Sequence, residues 1–141
     1  MIRTVFFSLA VVGLAACGGG GDVAGDVSGF SVIPSGYIAK CSVGEGFINF
    51  PDTIHIVNGG QPPFKVTTTT RGVSVGYVDA NNMFVAAENP YELMLTGKDP
   101  KFAVRFIGAR CGATYEGTVV VLDYHSNTVR PTYTAEAAEE E

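Results

Sequence analysis

Residues 64–78, Phe64-Lys65-Val66-Thr67-Thr68-Thr69-Thr70-Arg71-Gly72-Val73-Ser74-Val75-Gly76-Tyr77-Val78, decide the fold. Phe64, Val66 and Thr68 alternate with Lys65, Thr67 and Thr69; Val73, Val75 and Tyr77 then alternate with Ser74, Gly76 and Val78. A period of two sends successive side chains to opposite faces of an extended chain, whereas one face of a helix recurs at three and four. The residues are mostly β-branched or aromatic, the types that pack well on a pleated surface. Two half-buried strands are therefore expected here.

The same period extends in both directions. Ile54 and Ile56 flank His55, so the isoleucines are expected to face the core and His55 the solvent. Tyr91, Leu93 and Leu95 oppose Glu92, Met94 and Thr96, and Phe102, Val104 and Phe106 oppose Lys101, Ala103 and Arg105. Thr118 to Leu122 is apolar on both faces, which predicts a central strand. Thr128 to Thr134 contains Pro131, which lacks an N–H and predicts an edge strand. Turn residues cluster at Asn58-Gly59-Gly60, Asp79 to Asn82, Glu88-Asn89-Pro90, Gly97 to Pro100 and His125-Ser126-Asn127. This spacing predicts seven to nine strands in about 105 residues and no helix. A single sheet would leave one apolar face wet, so the fold class is an all-β, two-sheet antiparallel sandwich.

Composition agrees. The chain has 141 residues, 46% hydrophobic and 16% charged, which suits one domain with short appendages and excludes disorder over most of its length. Nine Lys and Arg against 14 Asp and Glu form no basic stripe, so binding to nucleic acid phosphates has no electrostatic driving force. Residues 136–141 hold four Glu and only alanine besides, and are expected to be a solvated acidic tail. Residues 17–29 are glycine-rich with no hydrophobic period, which predicts a flexible tether.

Residues 1–16 read as a secretion signal: Arg3, an apolar run from Val5 to Leu14, then Ala15 and Ala16. That run is about ten residues, against the roughly twenty that a hydrocarbon core demands. Leu14-Ala15-Ala16-Cys17 resembles the lipobox of bacterial lipoproteins. The resemblance implies cleavage before Cys17, a diacylglycerol on its thiol and a palmitate-type acyl chain on its amino group. The membrane is then a partner through the acyl chains on Cys17, since two or more chains hold firmly where one binds marginally. Gly18 stands where proteobacterial lipoproteins retained at the inner membrane carry Asp, which implies an outer-membrane anchor in the cell envelope, periplasmic or surface-exposed.

With Cys17 set aside, Cys41 and Cys111 remain, an even number in an oxidising compartment, and a disulfide between them is expected. Closing a loop of about seventy residues stabilises by roughly 4 kcal/mol in the chain-entropy account. A metal site or a reactive thiol are the alternatives. No Cys-x-x-Cys spacing is present, and only His55 and His125 could add imidazole.

A second resemblance lies in Phe30 to Pro34, Cys41, the stretch Ile56-Val57-Asn58-Gly59-Gly60-Gln61-Pro62-Pro63-Phe64-Lys65-Val66, Cys111, and Val119 to Asp123. It is similar to the immunoglobulin-like modules of bacterial envelope proteins. In those modules a Gly-Gly-x-Pro-Pro-aromatic corner joins two strands, and an apolar strand ending in Asp leads into the final hairpin. The resemblance implies an immunoglobulin-like sandwich over residues 30–135. The segment Ser42 to Asp52 departs from it as an insert carrying Phe47 and Phe50, which with Tyr115 are expected to be exposed aromatics on a contact surface.

Motifs for catalysis lack their context. Gly72-Val73-Ser74-Val75-Gly76 matches G-x-S-x-G, but Ser74 lies inside an alternating run with no helix after it. Asp123, His125 and Ser126 are too close together for an acid to stand behind an imidazole and a nucleophile in front of it. Blue-copper ligation needs a Met after the Cys and His, and Met83 and Met94 both precede them. The expected role is binding or structural support at the outer membrane, with an envelope protein or polysaccharide as partner, no catalytic residue, no metal and no cofactor. The rival is a small periplasmic enzyme or metal-carrying sandwich, which requires two or more of His55, His125, Cys111, Asp123 and Met94 to converge.

Overall fold

The computed structural model describes residues 29–139. The signal segment 1–16, the lipobox with Cys17, and the tether up to residue 28 lie outside the described residues, as do the last two residues of the tail. Every regular element among the described residues is a strand, and among these residues no helix is long and apolar enough to cross a membrane. In chain order they are β1 (Ser31–Ile33), β2 (Gly36–Cys41), β3 (Phe47–Ile48), β4 (Thr53–Asn58), β5 (Phe64–Thr68), β6 (Val73–Val78), β7 (Phe84–Ala86), β8 (Glu92–Leu95), β9 (Lys101–Phe106), β10 (Ala109–Arg110), β11 (Thr114–Glu116), β12 (Val119–Leu122), β13 (Thr128–Val129) and β14 (Thr132–Ala137).

One layer is the antiparallel sheet β1-β4-β9-β6-β7. The other contains β13-β12-β5-β8 and β11-β14-β2. Only Gly117-Thr118 separates β11 from β12, and only Arg130-Pro131 separates β13 from β14, so two strands with short breaks run through both parts of this layer. The chain changes layer at Pro34-Ser35: β1 is antiparallel to β4, and β2 then runs parallel to β14. Parallel approach at Gly36 needs a glycine, because a Cβ there would run into the carbonyl of Thr132. A two-stranded clip, β3 with β10, closes one end.

The core is one contiguous cluster in which Val57, Val75, Phe102, Val104 and Phe106 of the first layer meet Val66, Leu93, Val119, Val121 and Tyr133 of the second. Each such side chain is worth about 1.5–3 kcal/mol on full burial, so this cluster dominates the folding free energy. The expected inward faces of β5, β8 and β9 hold, since Phe64, Val66, Thr68, Leu93, Leu95, Phe102, Val104 and Phe106 are all buried.

Several expectations are corrected. Fourteen strands replace seven to nine, because Gly and Pro break long strands into pieces and the 42–52 insert adds a clip. In β4 the phase is reversed: Thr53, His55 and Val57 face the core, His55 at 0% exposure, and Ile56 is 42% exposed. Alternation gives a period but not a phase, and here partners for the imidazole decide it. In β6 Tyr77 is exposed and Gly76 buried, because the Phe84 ring of β7 lies where a Cβ of Gly76 would be. Tyr91 is exposed and precedes β8. Pro131 is fully buried and splits the expected edge strand: β13, before it, lies at an edge, whereas β14, after it, lies between β11 and β2. Glu136 and Ala137, placed in the tail by composition, belong to β14, where Glu136 pairs in register with Lys40.

Candidate functional site

Insert 42–52 is built onto the end of the sandwich where β2 finishes and β4 begins. Cys41 and Cys111 are joined as expected, with Cα atoms 5.9 Å apart. A tight turn follows Cys41: the Glu45 N–H donates to the Ser42 carbonyl, and the Ser42 N–H to the Glu45 carboxylate at 2.8 Å. Phe47 and Ile48 pair with Arg110 and Ala109. The Cys111 N–H donates to the Gly46 carbonyl, the Gly108 N–H to Asn49 Oδ1 and the Phe50 N–H to the Phe106 carbonyl. The insert is thus held at both ends and along its length.

The three aromatics expected on its surface part company. Phe47 is 69% exposed. Phe50, expected outside, is 5% exposed, with ring centroids 5.1 Å from Phe106 and 6.1 Å from Tyr133. It anchors the insert to the core. Tyr115 is half-buried: its ring stands edge-on to Phe106 at 4.7 Å and its hydroxyl accepts the Arg110 N–H at 2.7 Å. Val43 and Ile107 are the other exposed large apolar residues in this part of the chain. At the base of the insert Asp52 accepts both a 3.0 Å and a 2.9 Å hydrogen bond from Arg105, whose guanidinium also lies 4.1 Å over the Phe84 ring. The hydrogen bond from Arg105 holds the Asp52 carboxyl below its ordinary value.

The opposite end carries the Gly-Gly-x-Pro-Pro corner. Gly59 and Gly60 take φ of 66° and 70°, and Gly59 packs directly on Gly29 and Phe30, so the chain enters the sandwich here. Phe30 stacks on Phe64 at 5.8 Å. A shallow cleft of about 380 Å³ lies between this corner and the loop Thr96 to Pro100. Asp123 fastens the corner to the last hairpin. Its Oδ1 accepts the N–H groups of His125 and Asn127 at 2.9 and 2.8 Å, and its Oδ2 those of Gln61 and the Asn127 side chain at 3.2 and 3.0 Å. Burial alone would push this carboxyl up; the hydrogen bonds from Asn127, Gln61 and His125 outweigh it and hold it below its ordinary value.

Of the rival set, Asp123 and His125 are neighbours, joined through the His125 backbone N–H. Cys111 is in the disulfide, His125 is exposed on its turn, and Met94 faces outward from β8. Among the described residues no group of three or more His, Cys, Asp or Glu could hold a metal ion. His55, expected at the surface, spans the two layers instead. Its Nδ1–H donates to the Pro34 carbonyl at 2.7 Å, which leaves Nε2 to accept the Tyr133 hydroxyl at 2.6 Å. The ring stacks on Phe102 at 4.9 Å, and burial pushes its pKa below the ordinary value. Sequence reasoning missed this buried pair, because a histidine between two isoleucines carries no mark of direction. Ser74 lies within β6, next to Arg105 of β9 in register.

Comparison of the chain with models of known families, with curated proteins and with solved structures finds no match.

Proposed function

We propose that this chain is a lipid-anchored protein of the bacterial cell envelope whose immunoglobulin-like sandwich serves a binding or structural role at the outer membrane, held there by acyl chains on Cys17. Three features support the reading. The sequence Leu14-Ala15-Ala16-Cys17 stands at the end of an apolar run, and the remaining two cysteines form the disulfide that an oxidising compartment permits. The order of layers also fits, with a first strand that begins beside β4 and then crosses to run parallel to the last.

The observation that carries the binding role is Phe47. β4 has its start at the insert and its end at the Gly59-Gly60 corner, where residue 29 enters, so tether and insert lie at opposite ends of the sandwich. An anchor before residue 29 therefore leaves the insert at the end of the sandwich remote from the point of attachment. There a large apolar ring stands in water on a segment stapled by a disulfide, a clip and the buried Phe50. A rigid aromatic loses little freedom on binding, which favours contact with an envelope protein or polysaccharide.

Growth with a palmitate probe tests the anchor: the chain should take up label, and Cys17→Ser should abolish it. A photo-crosslinker at Phe47 in intact cells tests the surface. An adduct there, absent when the crosslinker replaces exposed Tyr91 instead, is the expected result; equal adducts at both positions, or none, remove the role assigned to the insert.

A further inference from the structure

Sheet edges are rows of unpaired N–H and C=O groups, and proteins keep them short, bulged or charged to prevent pairing with other chains. Here β1, β7 and β11 are three residues long, β3, β10 and β13 two, and β8 four. The exception is β2, six residues in unbroken register with β14 on one side and, among the described residues, unpaired on the other. At its centre Ile38 is 61% exposed. Lys40, the charge that would guard such an edge, is neutralised by Glu136 at 2.7 Å.

The hydrogen-bond pattern says which groups are free. The Thr132 N–H donates to the Ser35 carbonyl and the Ala138 N–H to the Cys41 carbonyl, at the two ends of the parallel ladder. Groups in such a ladder alternate in direction, so Ser35, Tyr37, Ala39 and Cys41 turn toward β14 while Gly36, Ile38 and Lys40 turn outward.

We propose that the free edge of β2 is where a second copy of this chain adds, antiparallel, about a two-fold axis at Ile38. Such pairing sets Ile38 against its own counterpart and Gly36 against Lys40 of the second copy, and every outward N–H meets an outward C=O. The edge is self-complementary in shape as well. Gly36 has no side chain, and the surface over it is a cleft of about 480 Å³ lined by Pro34, Ile38, Arg130, Thr132 and Thr134. The incoming Lys40 stem lies in that cleft. Its ammonium stays with Glu136 of its own copy, so only the aliphatic stem meets the cleft. The second layers of two copies then form one continuous sheet, β11-β14-β2-β2-β14-β11. A foreign strand could use the same backbone groups, but the match of Gly36 to Lys40 on both sides of the axis is peculiar to a second copy.

The test uses the full chain in intact cells, with benzoylphenylalanine replacing Ile38. Illumination should give a product of twice the chain's mass. Lys40→Pro removes an outward N–H and no bond to β14, and edge strands tolerate proline, so it should lower that product at least about tenfold with the fold retained. Lys40→Ala, which keeps the backbone donor but loses the stem laid over Gly36, should lower the yield by much less than Lys40→Pro does. Independently, sedimentation of the purified full chain should show reversible dimers that Ile38→Lys dissociates, a variant that keeps every backbone group. A monomer at all concentrations, an adduct with a different protein in place of the dimer, or a dimer indifferent to both Lys40→Pro and Ile38→Lys would overturn the proposal.

Discussion

The two ends of the sandwich are closed by different chemistry. At the stapled end a covalent bond, a two-residue clip and the buried Phe50 ring hold the insert, and an exposed aromatic is left over. At the corner end one buried carboxylate, Asp123, gathers four N–H groups from two loops, and the glycines of the corner fit against the incoming chain. The first end depends on the oxidation state of two sulfurs and the second on the ionisation of one acid. Reduction should therefore loosen one end and acid the other, which gives a way to address them separately.

Breaking the staple is the largest effect expected from undoing the chemistry that closes either end. Cys41→Ala with Cys111→Ala should lower unfolding stability by roughly 4 kcal/mol, read by chemical denaturation. Hydrogen exchange should rise first in residues 42–50 and 107–113, with the Asp123 loop still protected. If both ends lose protection together, the ends are not separate units and the comparison fails.

Next comes the carboxylate. Asp123→Ala leaves the N–H groups of Gln61, His125 and Asn127 without their acceptor, and hydrogen bonds to a charged group are worth about 1.5–3 kcal/mol. The loss should show as protection lost at the corner and in the last hairpin. Asp123→Asn, which keeps an acceptor oxygen but not the charge, should recover part of it. Because the folded pKa of Asp123 lies below its ordinary value of 3.8, its contribution is fully present above that value and is lost as pH falls through the folded pKa.

How far each end was legible follows from its chemistry. With Cys17 set aside, two cysteines admit one pairing, so the staple could be read directly. The corner was legible through Gly59-Gly60 and Pro62-Pro63, because few residue types accept those backbone angles. Asp123 was read as the end of a strand and as a member of the rival catalytic or metal set; its local bonds to His125 and Asn127 belong to the turn, but its hold on Gln61, 62 residues away, is encoded by no local pattern. Phe47 and Phe50 lie three residues apart in an insert without period, and nothing local says which is the anchor and which the exposed ring. The phase of β4 was illegible for a related reason: two isoleucines outweigh one histidine in hydropathy, and the balance shifts only when Pro34 and Tyr133, distant in sequence, supply both partners. β2, with Tyr37, Ile38 and Ala39 in succession, shows no alternation, so period two is silent at the longest free edge.

Between the two ends stands His55, which gives a pH response in a window of its own. The unfolded chain takes up a proton near 6.5, while burial keeps the folded imidazole neutral to lower pH. The unfolded state thus binds more protons in that window, and stability should fall as pH drops below about 6.5 until the folded pKa is passed. Denaturation between pH 7.5 and 5 should show that slope in the parent chain and lose it in His55→Phe. Tyr133→Phe should cost about 1–3 kcal/mol at pH 7.5, because it leaves Nε2 without its donor. A slope unchanged in His55→Phe would place the titrating group at one of the ends instead.

The smallest effect on stability is expected where the structure leaves a side chain unused. Phe47→Ser removes a ring that makes little contact with the fold, so the denaturation midpoint should move by no more than about 0.5 kcal/mol. Phe50→Ser, three residues on, takes a ring from among Phe106, Tyr133 and Tyr37 and should cost about 3–5 kcal/mol by analogy with truncation to alanine. The contrast matters more than either number. A folded domain gains nothing for its own stability from a phenylalanine in water, so a neutral result at Phe47 together with a large loss at Phe50 divides the insert into a part that holds and a part that is held out. Should Phe47→Ser destabilise as much as Phe50→Ser, the ring is packed in solution and the stapled end has no free aromatic to offer.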